Sequence, residues 1–137
     1  MPCGYAVPAS WTMQDHRRLR VYQAARELAL QVYAVAKALP ADERFDLARQ
    51  IRRSGISVGS NIAEGCGRAT QRDLCGFLDI ALGSARELEF QLDLVLRANL
   101  ASMELTGPAL ETTRRVQQML TRLIVQIRVR SRKPHDG

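Results

Sequence analysis

Residues 50–68 read QIRRSGISVGSNIAEGCGR. Ala48, Ile51, Gly55, Val58 and Ile62 recur there at alternating spacings of three and four, the period of one face of an α-helix. The same stretch holds Gly55, Gly59 and the serines 54, 57 and 60. A glycine inside a helix costs roughly 1 kcal/mol relative to alanine. A close-packing neighbour or a bound partner has to offset that cost. Gly83 and Ser84, in the next helical segment, supply matching small residues. Gly55, Ser57 and Gly59 are therefore predicted to face them across a tight helix–helix contact. Small residues occupy several faces of the stretch, which leaves some of them available to another subunit or to a ligand.

Working outward, three more segments carry the same period. Val21, Ala25, Leu28, Val32, Val35 and Leu39 form the seam of a first helix, which Pro40 ends. Asp42 is the expected cap of the second helix, and Gly65 its left-handed stop. Thr70 and Asp73 form a capping pair for a third helix lined by Leu74, Leu78, Ala81, Ala85, Leu88, Leu92 and Val95, with Asn99 closing it. Thr106, Gly107 and Pro108 are expected to start a fourth, lined by Ala109, Thr113, Val116, Leu120, Leu123 and Ile127. No segment alternates at period two. Short connections favour antiparallel neighbours, so the predicted fold is all-α, an up-down-up-down four-helix bundle over residues 16–131. Residues 1–15 and 132–137 are expected to be flexible tails.

Composition narrows the class. The chain has 137 residues, 46% apolar, with aromatics at only 5%. That suits one closely packed domain built from Leu, Ile, Val and Ala. Cys3, Cys66 and Cys75 form no CxxC pair, which argues for free thiols in a reducing cytoplasm. Residues 1–15 lack the pattern of a signal peptide, and no apolar run approaches membrane-spanning length.

The formal charge of +6 is carried almost wholly by arginine, with Lys37 and Lys133 as the lysines. Arginine is the better residue for bidentate phosphate contacts. Up-down topology gathers Arg17, Arg18, Arg20, Arg68, Arg72, Arg128, Arg130, Arg132 and Lys133 at one end, against Asp15, Glu64, Asp73 and Asp136. The other end has Lys37, Arg44 and Arg97 against five acids. Cations at the end of the fourth helix suit its macrodipole, but Arg17, Arg18 and Arg20 stand at a helix start, where the dipole disfavours them. The basic end is thus the candidate nucleic-acid surface. No aromatic residue is expected among these arginines, so binding would be led by the phosphate backbone and sensitive to salt.

Catalytic patterns are missing. His16 and His135 have no evident metal or triad partners, and there is no Glu-x-x-His pair of the di-iron type. Gly65-Cys66-Gly67 lacks the lysine of a phosphate loop, and Glu87 and Glu89 do not share a helix face. No enzyme activity, cofactor or metal is expected. Arg53, Asn61 and Glu64 fall close to one face, where they read as a polar seam, a subunit interface or a ligand contact.

RRSGISVGSNIAEGCGR (52–68) followed by FLDIALGSARELEFQL (77–92) resembles the bacterial four-helix-bundle proteins encoded in 23S ribosomal RNA intervening sequences. The accessory proteins of diversity-generating retroelements are more distant relatives. The matching motif residues are Arg52, Arg53, Ser57, Asn61, Glu64, Gly65, Arg68, Phe77, Gly83, Ser84 and Glu87. The resemblance implies a homo-oligomeric ring, usually a pentamer, with no known enzymatic activity; the retroelement relatives bind nucleic acid and a reverse transcriptase. Gly59 departs from a common proline, while Asp79 and Leu82 replace an asparagine and a basic residue. The second change lowers the charge of the third helix and is expected to leave the basic end unaffected.

The leading expectation is a non-catalytic cytoplasmic homo-oligomer that binds RNA or DNA through its arginine-rich end. The alternative is an oligomeric scaffold that docks a protein partner.

Overall fold

The structure, a computed structural model, describes residues 19–132. Four helices follow one another, α1 (Arg20–Ala38), α2 (Leu47–Cys66), α3 (Gln71–Arg97) and α4 (Met103–Arg132). A 3-10 turn, Ala41–Glu43, sits between the first two. No strand occurs among the described residues. Each helix packs on the next in chain order and α4 closes on α1, the arrangement of an up-down-up-down bundle. The expected tails lie outside the described residues apart from Arg132, which is the last helical residue.

The predicted seams form the core. Leu28, Val32, Val35, Ile51, Val58, Ile62, Leu78, Leu88, Leu92, Val95, Val116 and Leu120 are completely buried. Leu123 alone of the predicted seam residues is half-buried, and Ile124 takes the inner place beside it. Truncating such a leucine to alanine typically costs about 2–5 kcal/mol, so these stripes hold the four helices together.

Helix ends divide into expected and unexpected cases. Thr70 caps α3 as predicted, its hydroxyl accepting from the Asp73 N–H at 3.1 Å. Asn99 adopts the left-handed conformation, φ 55°, after α3. Leu100 N–H then reaches Val95 O at 2.9 Å and Asn99 N–H reaches Leu96 O at 3.1 Å, the paired bonds of a Schellman stop. Asp42, by contrast, lies in the 3-10 turn, and Asp46 stands at the start of α2 without a side-chain cap. The Asp46 carboxylate instead accepts from Gln50 Nε2 at 2.9 Å. The fourth helix also begins earlier than expected. Ser102 accepts the Leu105 N–H at 3.3 Å and does the capping, so Pro108 sits inside α4. Its missing N–H deprives only the exposed Glu104 carbonyl of a donor, a small loss near a solvent-facing end.

The glycines overturn part of the expected contact. Gly55 faces α1, where an added Cβ would lie 3.2 Å from a Val32 methyl, and Gly59 faces Ala25 of α1 at 3.8 Å. Neither turns toward Gly83. Gly65 is not a left-handed stop either, because α2 continues to Cys66 and no glycine has positive φ among the described residues. A Cβ on Gly65 would stand 2.9 Å from Phe77 Cβ and 3.2 Å from the Leu74 carbonyl, so at this glycine α2 and α3 approach too closely for a side chain to fit without a shift. At Gly76 and Gly83 an added Cβ would meet nothing within 4 Å.

Candidate nucleic-acid interface

Because α1 and α3 start where α2 and α4 end, the bundle gathers Arg20, Arg68, Arg72, Arg128, Arg130 and Arg132 at one end, all exposed. Arg17, Arg18 and Lys133 lie outside the described residues. The helices bring these side chains together through particular contacts. Ser131 of α4 hydrogen-bonds Gln71 at the start of α3. Arg128 donates to Asp79 of α3 at 2.6 Å. The substitution at Asp79 therefore does reach the basic end, contrary to expectation, because α4 lies alongside α3 and a charge about two turns into α3 falls opposite Arg128.

Arg68 is the second arginine with a local partner. It donates to Glu64 at 2.9 Å, one turn back on α2, and its guanidinium stands 4.7 Å from the centre of the Phe77 ring. An aromatic residue does meet an arginine at this end after all. Phe77 is nine residues on in sequence, and the tight α2–α3 approach at Gly65 brings its ring under Arg68. Since the guanidinium covers that ring face, the contact reads as a cation–π pair that holds the α2–α3 corner. Arg20, Arg72, Arg130 and Arg132 have no acidic partner among the described residues.

The remaining motif residues separate into three places. Arg53, Ser57, Ser84 and Glu87 line one open groove of about 480 Å³ between α2 and α3, together with Gln50 and Ser54. The Ser57 and Ser84 hydroxyls share a hydrogen bond of 2.8 Å across it. Asn61 Nδ2 donates to Ser57 O at 2.8 Å and Ser57 Oγ at 3.0 Å, which joins one predicted member of the polar seam to the serines. Glu64 is drawn away to Arg68, and Arg53 makes no ion pair among the described residues. Arg52 is half-buried toward α1, beside Lys37 and Arg44. Gly83 is exposed. Hence the predicted Arg53–Asn61–Glu64 network does not form as one unit.

Sequence reasoning missed the α3–α4 pairs. Glu89 accepts from Gln117 Nε2 at 2.8 Å and from Arg114 Nε at 2.9 Å. The Gln117 and Arg114 hydrogen bonds hold its carboxyl below the ordinary glutamate range, against a smaller opposing effect of burial. These partners lie more than twenty residues apart, where helical periodicity carries no signal about pairing. Burial raises the Cys75 thiol, and nearby Arg128 only partly offsets it. Cys66 and Cys75 are both buried free thiols. Among the described residues no cluster of three metal-ligating side chains exists, and no helix is long and apolar enough to cross a membrane.

The profile of the 23S rRNA-intervening sequence protein family matches residues 17–122, which take in α1, α2, α3 and the first part of α4. The chain belongs to that family. A crystal structure of a protein of unknown function from the S23 ribosomal protein family of Bacteroides thetaiotaomicron is similar to it at 28% identity and a TM-score of 0.71. The match covers 76% of this chain and 97% of that one. No curated protein matches the sequence. Family membership thus fixes the bundle and the motif that builds its α2–α3 side.

Proposed function

We propose that this chain is a non-catalytic subunit of a homo-oligomer whose arginine-rich end binds nucleic-acid phosphate. The observation that carries the reading is the exposure of Arg20, Arg72, Arg130 and Arg132 at one end, with no acidic partner among the described residues. Solvated arginines of this kind can displace counterions from a phosphate backbone, and several copies of the patch on one assembly multiply the effect. The family's link to a 23S rRNA intervening sequence makes RNA the first ligand to test.

Self-association is supported by the outer face of α3. Ile80, Phe90 and Leu94 are 53%, 68% and 42% exposed, on the same stripe as the open Gly83. A second copy is the occupant that accounts for both the bare apolar groups and the glycine. Five copies are the form that the family resemblance implies. Cytoplasmic residence suits the free, buried Cys66 and Cys75.

The test is fluorescence anisotropy of labelled RNA and DNA duplexes across a salt series, with mass from light scattering. Binding is expected to weaken by about 0.9 log units per log unit of salt for each phosphate neutralised. Charge reversal at Arg128, Arg130 and Arg132 should weaken binding and leave the mass unchanged. An oligomer that ignores both duplexes at low salt would overturn the nucleic-acid reading in favour of a scaffold for a protein partner. A monomer at micromolar concentration would overturn the assembly.

A further inference from the structure

The arginines of the basic end are not equivalent. Gln71, Arg72 and Cys75 of α3 and Arg128, Ser131 and Arg132 of α4 enclose a cleft of about 340 Å³. Arg68 lies elsewhere, occupied by Glu64 and Phe77, and Arg130 does not line the cleft. We infer that this cleft is a discrete phosphate-binding subsite in which Arg72 and Arg132, with Arg128 behind them, close on a single phosphate group. The inference deepens the nucleic-acid reading and rests on it for the source of that phosphate.

Charge balance is the first argument. Three guanidinium groups line one small cleft, and the acid among the described residues that engages any of them is Asp79, on Arg128. Like charges that line one cleft repel, more strongly as the surroundings become less aqueous. Arg72 and Arg132 are left with uncompensated charge facing a shared space. A phosphate group relieves both, accepting from each planar fork in the geometry that arginine favours.

Preorganisation is the second. The Ser131–Gln71 hydrogen bond ties the two walls together, and the Arg128–Asp79 pair fixes the rear guanidinium. Ile127 O, 2.9 Å from Ser131 Oγ within α4, shares that single hydroxyl proton. The walls therefore stand in place before any ligand arrives, which lowers the ordering cost of binding. Cys75 forms a neutral floor: it is 5% exposed, and burial keeps its thiol protonated, so the carboxylate felt there is that of Asp79, which Arg128 engages. A volume of this size, at the lower end for ligand sites, takes a phosphate with an attached sugar.

The experiment compares inorganic pyrophosphate by calorimetry with labelled duplex RNA by anisotropy, on the full chain and its Arg72→Gln, Arg132→Gln, Arg72→Lys and Arg130→Gln variants. All three positions carry exposed side chains, so the fold should persist, and circular dichroism checks it. Pyrophosphate is expected to saturate about one site per chain and to compete with RNA. Arg72→Gln and Arg132→Gln should each weaken it about tenfold or more, with Arg72→Lys between them and the parent. For pyrophosphate, Arg130→Gln should stay within about twofold, because Arg130 does not line the cleft, whereas its RNA binding should weaken with the loss of one cation of the basic end. RNA binding without saturable pyrophosphate binding, or a loss of pyrophosphate affinity in Arg130→Gln equal to that in Arg72→Gln, overturns the cleft and leaves the general basic end standing. Saturable pyrophosphate binding without RNA binding supports the cleft and removes the nucleic-acid reading, making a phosphorylated small molecule the source.

Discussion

Gly65, beside the last residue of α2, and Gly83, in the middle of α3, are both helical glycines of the same motif, yet their surroundings are opposite. A methyl group at Gly65 would lie 2.9 Å from Phe77 Cβ and close to the Leu74 backbone, whereas at Gly83 it would meet nothing within 4 Å. The first glycine is explained by the fold of one chain: a side chain there would press on Phe77 and on the Leu74 carbonyl. The second gains nothing from that fold and still carries the helix cost of glycine. The difference teaches that small residues in one family motif serve two purposes, internal closeness on α2 and an open outer face on α3.

The two seams of α3 differ in a related way. Midway along α2 the contact is neutral, Ser84 with Ser57. Midway along α4 it is charged, Glu89 with Arg114 and Gln117. The serine pair does not titrate and the Glu89 contact does.

The strongest way to break the glycine comparison is Gly65→Ala. Its Cβ would press on a side-chain Cβ and on backbone, neither of which moves easily, so a loss of about 1–3 kcal/mol is expected in urea unfolding. An unchanged or higher midpoint would mean that the close α2–α3 approach is not required. Gly83→Ala should act in the reverse direction. In dilute, dissociated protein it should gain about 1 kcal/mol from helix propensity. Sedimentation at higher concentration should then show weaker self-association, because the methyl group occupies the face assigned to a second copy. Destabilisation of the dilute chain would instead give Gly83 an internal role.

The seams offer smaller effects. Ser84→Ala removes the hydroxyl shared with Ser57, but Ser57 keeps Asn61, so a cost of about 0.5–1 kcal/mol is expected, constant from pH 7 to 3. Glu89→Gln should cost less than about 1 kcal/mol at pH 7, since the side chain is 34% exposed. Here the sign follows from the lowered carboxyl pKa. Wild-type Glu89 contributes above the unfolded value, about 4.3, and loses that contribution as pH falls through its lower folded value. The melting-temperature gap between wild type and variant should therefore close on acidification. A gap that persists at pH 2 would mean that packing, not charge, sets the effect.

Much of this architecture is legible in the linear order of residues. Core positions such as Ile51, Leu88 and Val116 declare themselves because a helix repeats its face every three to four residues, and burial rewards an unbroken stripe. Thr70 and Asn99 are equally readable, since their side chains act on backbone only a few positions away. Ser102 was passed over for Thr106 because Pro108 is an attractive first-turn residue, and only the actual cap shows that the helix accommodates it later. The basic end follows from topology, but its internal differences do not. Asp79 and Arg128 lie 49 residues apart, as neighbours on adjoining helices.

The sequence by itself determined that four amphipathic helices form, where most of them end, and that arginine accumulates at one pole. Those properties depend on local backbone chemistry and on periodicity, which are written in consecutive residues. Only the tertiary structure decided which way each glycine points, which arginines are neutralised, and which of them share the cleft between α3 and α4. These depend on the rotation of each helix about its own axis and its distance from the next, quantities fixed by the packing of all four together.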